Sequence, residues 1–112
     1  MRASIRPGTR HGGLGFVGFP LHPAGKPGTE RAQHLVNAPG LMLFLQGTRD
    51  ELADLALLHQ AIGPLGARAT LHVVDDADHA FHVRAASGRR DPAVIEELAD
   101  TMRPWIDGLP GS

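Results

Sequence analysis

Leu41-Met-Leu-Phe-Leu-Gln-Gly-Thr-Arg-Asp50 decides the fold. The apolar run from Leu41 to Leu45 is too short for a helix of ordinary length, and it stops at Gly47 before an acidic loop. That pattern predicts a buried parallel strand carrying a carboxylate just past its C-terminal end. Open α/β sheets place their chemistry outside the carboxyl ends of their strands, so Asp50 stands at a working position.

Outward from this strand, the order predicts a three-stranded parallel α/β domain. Leu14 to Phe19 reads as a strand weakened by two glycines and stopped by Pro20. The loop Pro20-Leu-His-Pro-Ala-Gly-Lys-Pro-Gly28 follows, and its prolines deny both helix and ladder. Thr29 to Val36 reads as a short helix. Thr48 and Glu51 have capping-box spacing, predicting a helix over 51–62 with Leu52, Leu55, Ala56, His59 and Ile62 on one face. Ala69 to Val74 reads as a third strand. Asp91-Pro92 opens a last helix striped by Val94, Ile95, Leu98, Ala99, Met102, Trp105 and Ile106, with a kink expected at Pro104. Crossovers of this length suit parallel strands in βαβ units. Residues 1–13 read as an irregular lead-in, 14–107 as one α/β unit and 108–112 as a tail.

Composition narrows the function classes. Of 112 residues, 42% are hydrophobic and 21% charged, and 11 basic against 12 acidic residues leave a formal charge of −1. With no block of like charge, neither nucleic acid nor an anionic membrane is an expected partner. The chain has no Cys, which removes disulfides, thiolate metal sites and a Cys nucleophile together. No apolar stretch approaches 18 residues and no apolar segment follows Met1, so a cytoplasmic protein is expected.

Three motifs suggest chemistry. Gly13-Leu-Gly-Phe-Val-Gly18 matches a dinucleotide fingerprint in letters, but its glycines lie within a strand and run into Phe19-Pro20. No helix opens there to meet a pyrophosphate, so no cofactor is expected. His79 and His82 lie near Asp75, Asp76 and Asp78, but His11, His22, His34, His59 and His72 show no ligand spacing, so no metal is expected either. His59 in a helix stripe and His72 in a strand read as satisfied, half-buried histidines. The third motif is the pair Asp50 and His79, each in the loop after its own strand. If those strands are neighbours, Asp50 can hold the imidazole by its Nδ1 proton, as in a hydrolytic triad. Spacing alone leaves this open beside a helix-capping Asp and a loop His.

Leu43-Phe-Leu-Gln-Gly-Thr-Arg-Asp50, Ala77-Asp-His-Ala-Phe-His82 and Gly18-Phe-Pro-Leu-His-Pro-Ala-Gly-Lys-Pro27 together resemble the C-terminal half of small α/β-hydrolases of the dienelactone-hydrolase-like, testis-expressed-protein type. The resemblance covers residues 14–107. It implies that Asp50 is the triad acid, that His79 is the triad base, and that the strands are the last three of a larger sheet. It also implies a small ester-like substrate once an N-terminal half completes the site. The departure is the nucleophile. The family carries Ser on a G-x-S-x-G elbow before the acid, whereas Ser4 here has no elbow glycines, and Ser87 and Ser112 follow the His. Met1 would fall just after the elbow, so a truncated, inactive product is expected. The alternative is a non-catalytic module that associates with a partner or itself through the bare edge of the strand at 14–19. His22 and Lys26 could line a substrate entrance or simply hold the Pro-rich loop.

Overall fold

The computed structural model describes residues 13–38 and 40–109. Its three strands, β1 (Gly13–Val17), β2 (Leu41–Gly47) and β3 (Ala69–Val74), form one parallel sheet in the order β1-β2-β3. Val17 pairs with Leu45, and Gly47 with Val74, so the β2 and β3 loops leave the same edge side by side. The fold class read from the sequence, three parallel strands with flanking helices, is the one observed.

β2 is apolar from Leu41 to Leu45 because both of its faces are covered. Met42 and Phe44 point into one core with Phe19, Leu21, Leu35, Leu58, Ile62 and Leu65, while Leu43 and Leu45 point into another with Val74, Ala77, Phe81, Val94 and Leu98. Helix α1 (Leu55–Ile62) closes the first layer and helix α2 (Asp91–Asp107) the second. Phe16, Phe19 and Phe44 form a ring cluster in the first core, with Phe16 stacked on Phe44 at 5.1 Å and Phe19 edge-on to both.

Several boundaries differ from the sequence reading. β1 ends at Val17 rather than Phe19, because Gly18 turns the chain away at φ +77°. The Thr48–Glu51 capping box does not form. The Thr48 hydroxyl instead accepts from the Asp76 N–H at 2.8 Å, and α1 begins only at Leu55, capped by Asp54, whose carboxylate accepts from the Leu57 N–H at 3.0 Å. The buried face of α1 is accordingly Leu58 and Ile62, and His59 and Ala56 are exposed. The segment before β2 is a 3-10 helix, Glu30–Asn37. In α2, Val94 and Leu98 are buried and Met102 and Trp105 pack beside them, but Ile95 is 58% exposed. Asp91 caps no turn of α2. Its carboxylate accepts from the Val83 N–H and meets the His82 ring. The helix runs through Pro104 to Asp107. His72 on β3 meets Glu97 of α2 at 2.6 Å, and Arg89 pairs with the same carboxylate.

Most of the lead-in at 1–13, with Ser4 and His11, lies outside the described residues, as do residues 110–112 of the tail, with Ser112.

Candidate active site

The close approach of two loops creates the site. The Thr48 N–H donates to Val74 O at 3.1 Å and the Arg49 N–H to Ala77 O at 2.9 Å, so the chain leaving β2 continues to bond the chain leaving β3. Asp50 then turns inward with its side chain fully buried. Its Oδ1 accepts from the Leu52 N–H at 2.8 Å, and its Oδ2 accepts from Gln46 Nε2 and from His79 Nδ1, both at 2.8 Å. A carboxylate taken out of water needs such donors.

The loop carrying His79 is rigidly laced. Asp78 accepts from the Ala80 and His82 N–H groups, and the Asp78 N–H donates to His82 O. Phe81, at φ +65°, is buried beneath the loop. Asp76, also at positive φ, accepts from the Arg84 N–H and guanidinium, and Arg49 Nε donates to Asp76 O at 2.8 Å. The Arg84 side-chain bond holds the Asp76 carboxyl below the usual carboxylate range. Asp76 and Asp78 thus serve the loop itself, and the described residues hold no group of three or more His, Cys, Asp or Glu suited to a metal.

Asp50 is the acceptor in the pair, so His79 Nδ1 carries a proton, and in the neutral tautomer Nε2 is the acceptor. That Nε2 is buried and has no hydrogen-bond partner among the described residues. The ring lies against Gly18, where a Cβ would stand 3.2 Å from Cε1. The structure therefore brings together the two residues singled out by sequence. Gln46 had no role in the sequence reading. A polar residue in the otherwise apolar Leu41–Leu45 strand context was the available signal.

The remaining candidates hold structure. His22 is buried, with Nδ1 donating to Pro23 O and Nε2 accepting from the Asp54 N–H, both at 2.9 Å. It pins the Pro-rich loop to the start of α1. Lys26 is exposed. The Ser87 hydroxyl donates to Arg84 O and accepts from the Arg89 N–H.

His82 gives the site a testable pH dependence. Its ring meets Asp91 at 2.7 Å, and that bond, with the charges of Asp91 and Asp78, raises its pKa above the ordinary value of about 6.5. The bond to His82 likewise lowers the Asp91 carboxyl. A raised His pKa contributes stability that is full below the unfolded value and lost as pH rises through the folded one. Protection of loop 78–84 amides from exchange should therefore fall on raising pH above about 6.5, and His82→Gln should flatten that dependence. Both side chains are largely solvent-exposed, so the effect is small.

A family model described as an alpha/beta hydrolase domain matches residues 2–107. No solved structure matches the chain. Among the described residues, no helix is long and apolar enough to cross a membrane.

Proposed function

Because this chain belongs to the alpha/beta hydrolase domain family, we propose that Asp50 and His79 are the acid and base of a serine-type ester or acyl hydrolase centre whose nucleophile comes from outside residues 13–109. The buried His79 Nε2, without a hydrogen-bond partner among the described residues, is the observation that carries this reading. In such a centre, a Ser hydroxyl attacks the ester carbonyl as Nε2 takes its proton. The resulting imidazolium is stabilised by Asp50 and returns the proton to the departing alcohol, and the acyl-enzyme is then cleaved by water activated in the same way. The sequence has no G-x-S-x-G elbow, and the Ser87 hydroxyl is engaged by Arg84 O and the Arg89 N–H. The chain alone is accordingly expected to turn over no substrate. The loop at residues 20–27 supports the finer placement among dienelactone-hydrolase-like, testis-expressed-protein-type enzymes acting on small esters.

Ring nitrogen NMR of histidine-labelled protein tests the pair directly. In its neutral form His79 should carry the proton on Nδ1, and a neutral ring protonated on Nε2 instead would remove the reading. Hydrolysis of short 4-nitrophenyl esters should match that of His79→Ala, and a fluorophosphonate probe should leave the chain unlabelled. A His79-dependent rate would show that a nucleophile is present after all.

A second reading rests on β1, which pairs with β2 on one side and with no other strand among the described residues. An open edge can add a strand from another chain. Under this reading the sedimentation mass rises with concentration, and a monomer at all concentrations counts against it.

A further inference from the structure

We propose that Gln46 is a positioning residue that ties the chain leaving β1 to the Asp50–His79 pair and tempers the hold of Asp50 on the imidazole proton. The inference rests on the reading of that pair as acid and base. Gln46 is fully buried at the end of β2. Its Oε1 accepts from the Phe19 N–H at 2.9 Å, and its Nε2 donates to Asp50 Oδ2 at 2.8 Å. Chemistry fixes this orientation, because the backbone N–H can only donate and the carboxylate can only accept.

Two consequences follow. The first concerns the backbone. The Gly18 N–H still reaches Leu45 O at 2.9 Å, but the turn at Gly18 ends the ladder, and the next N–H would be left buried and unsatisfied without the Gln46 carbonyl. Gln46 therefore holds in place the segment that packs on the His79 ring. Contacts run in a closed circuit from Gly18 and Phe19 through Gln46 and Asp50 to His79 and back to Gly18.

The second concerns charge. Asp50 Oδ2 accepts from Gln46 and His79 together, so each donor draws on the same negative oxygen. Removing the amide donor leaves a more basic oxygen for His79 alone. Hydrogen bonds to an ionised acceptor are the stronger kind, so the shared Nδ1 proton should move measurably.

The test is proton NMR of the full chain, following the His79 Nδ1–H resonance and the exchange protection of the Phe19 amide. Gln46→Met should move the Nδ1–H resonance downfield and strip protection from Phe19. Gln46→Glu separates the two roles, since it keeps an oxygen for the Phe19 N–H. With the new carboxyl protonated it still donates to Asp50, and the His79 resonance should sit at its wild-type position. As pH rises and that carboxyl ionises, above the ordinary Glu value of about 4.3 because of the adjacent carboxylate, the resonance should move downfield of the wild-type resonance recorded at the same pH. A residue that merely fills space would show no such pH-dependent rescue. Should Gln46→Met fail to fold, the near-isosteric Gln46→Glu still gives the answer. Asp50→Asn should abolish the resonance in its wild-type position. If it does so while both Gln46 variants leave His79 unmoved, the role of Gln46 is overturned and the acid–base pair stands. If Asp50→Asn changes nothing, the pair itself is overturned, and the role of Gln46 with it.

Discussion

Gly47→Ala, the addition of one methyl group, should be among the most damaging substitutions in the chain. A Cβ at this position would lie 2.1 Å from the Ala77 carbonyl oxygen and 2.6 Å from its carbon. Both are backbone atoms, so no rotamer change relieves the clash. The Ala77 carbonyl also accepts the Arg49 N–H, one of the bonds joining the two loops of the site. Overpacking ordinarily costs about 1–3 kcal/mol and more where backbone must move, so a loss of about 3 kcal/mol or greater is expected. Urea unfolding should show the midpoint falling by a large fraction of the marginal stability of a domain this size. The same displacement parts Asp50 from His79, so the Nδ1–H resonance should be lost even in the folded fraction. An unchanged midpoint would mean that the β2 and β3 loops do not approach this closely.

Phe44→Ala should be comparably severe, for the opposite reason. Phe44 has no exposed surface, stacks on Phe16, and receives the edge of Phe19 at 5.9 Å. Emptying such a site removes the transfer free energy of the ring and leaves a cavity, about 3–5 kcal/mol in total. The loss also reaches the site, because Phe19 is anchored by this cluster and its N–H is the group that Gln46 holds. Phe19 amide protection should fall with the denaturation midpoint. Phe44→Leu, which retains most of the volume, should cost less than half as much. Equal losses for the two variants would argue against a ring-specific cluster.

The sheet was legible because β2 is apolar on both faces, a pattern that a strand buried between two helical layers requires and a one-sided strand does not. Asp50 and His79 were legible as a candidate pair because each follows a strand within a few residues. Boundaries were less so. The Thr48–Glu51 capping box has the right letters, but Thr48 is claimed by Asp76 from 28 residues away, and local spacing carries no information about that competitor. The α1 face was misplaced for the same reason, once Asp54 took over the cap. Ile95 matched the apolar period of α2 yet stands exposed, because periodicity marks a stripe without marking how wide a neighbour is available to cover it.

By itself the sequence determined the parallel α/β class, the central strand and two residues capable of acid–base chemistry, all of which depend on short-range pattern and residue type. Only the tertiary structure decided that they meet at 2.8 Å, that Gln46 shares the Asp50 carboxylate with His79, that His22 holds a loop, and that His79 Nε2 has no partner among the described residues. Those outcomes depend on which groups claim the same donors and acceptors once distant segments are packed together. That competition is settled by burial, where an unmet polar group is costly, and burial is a property of the folded chain.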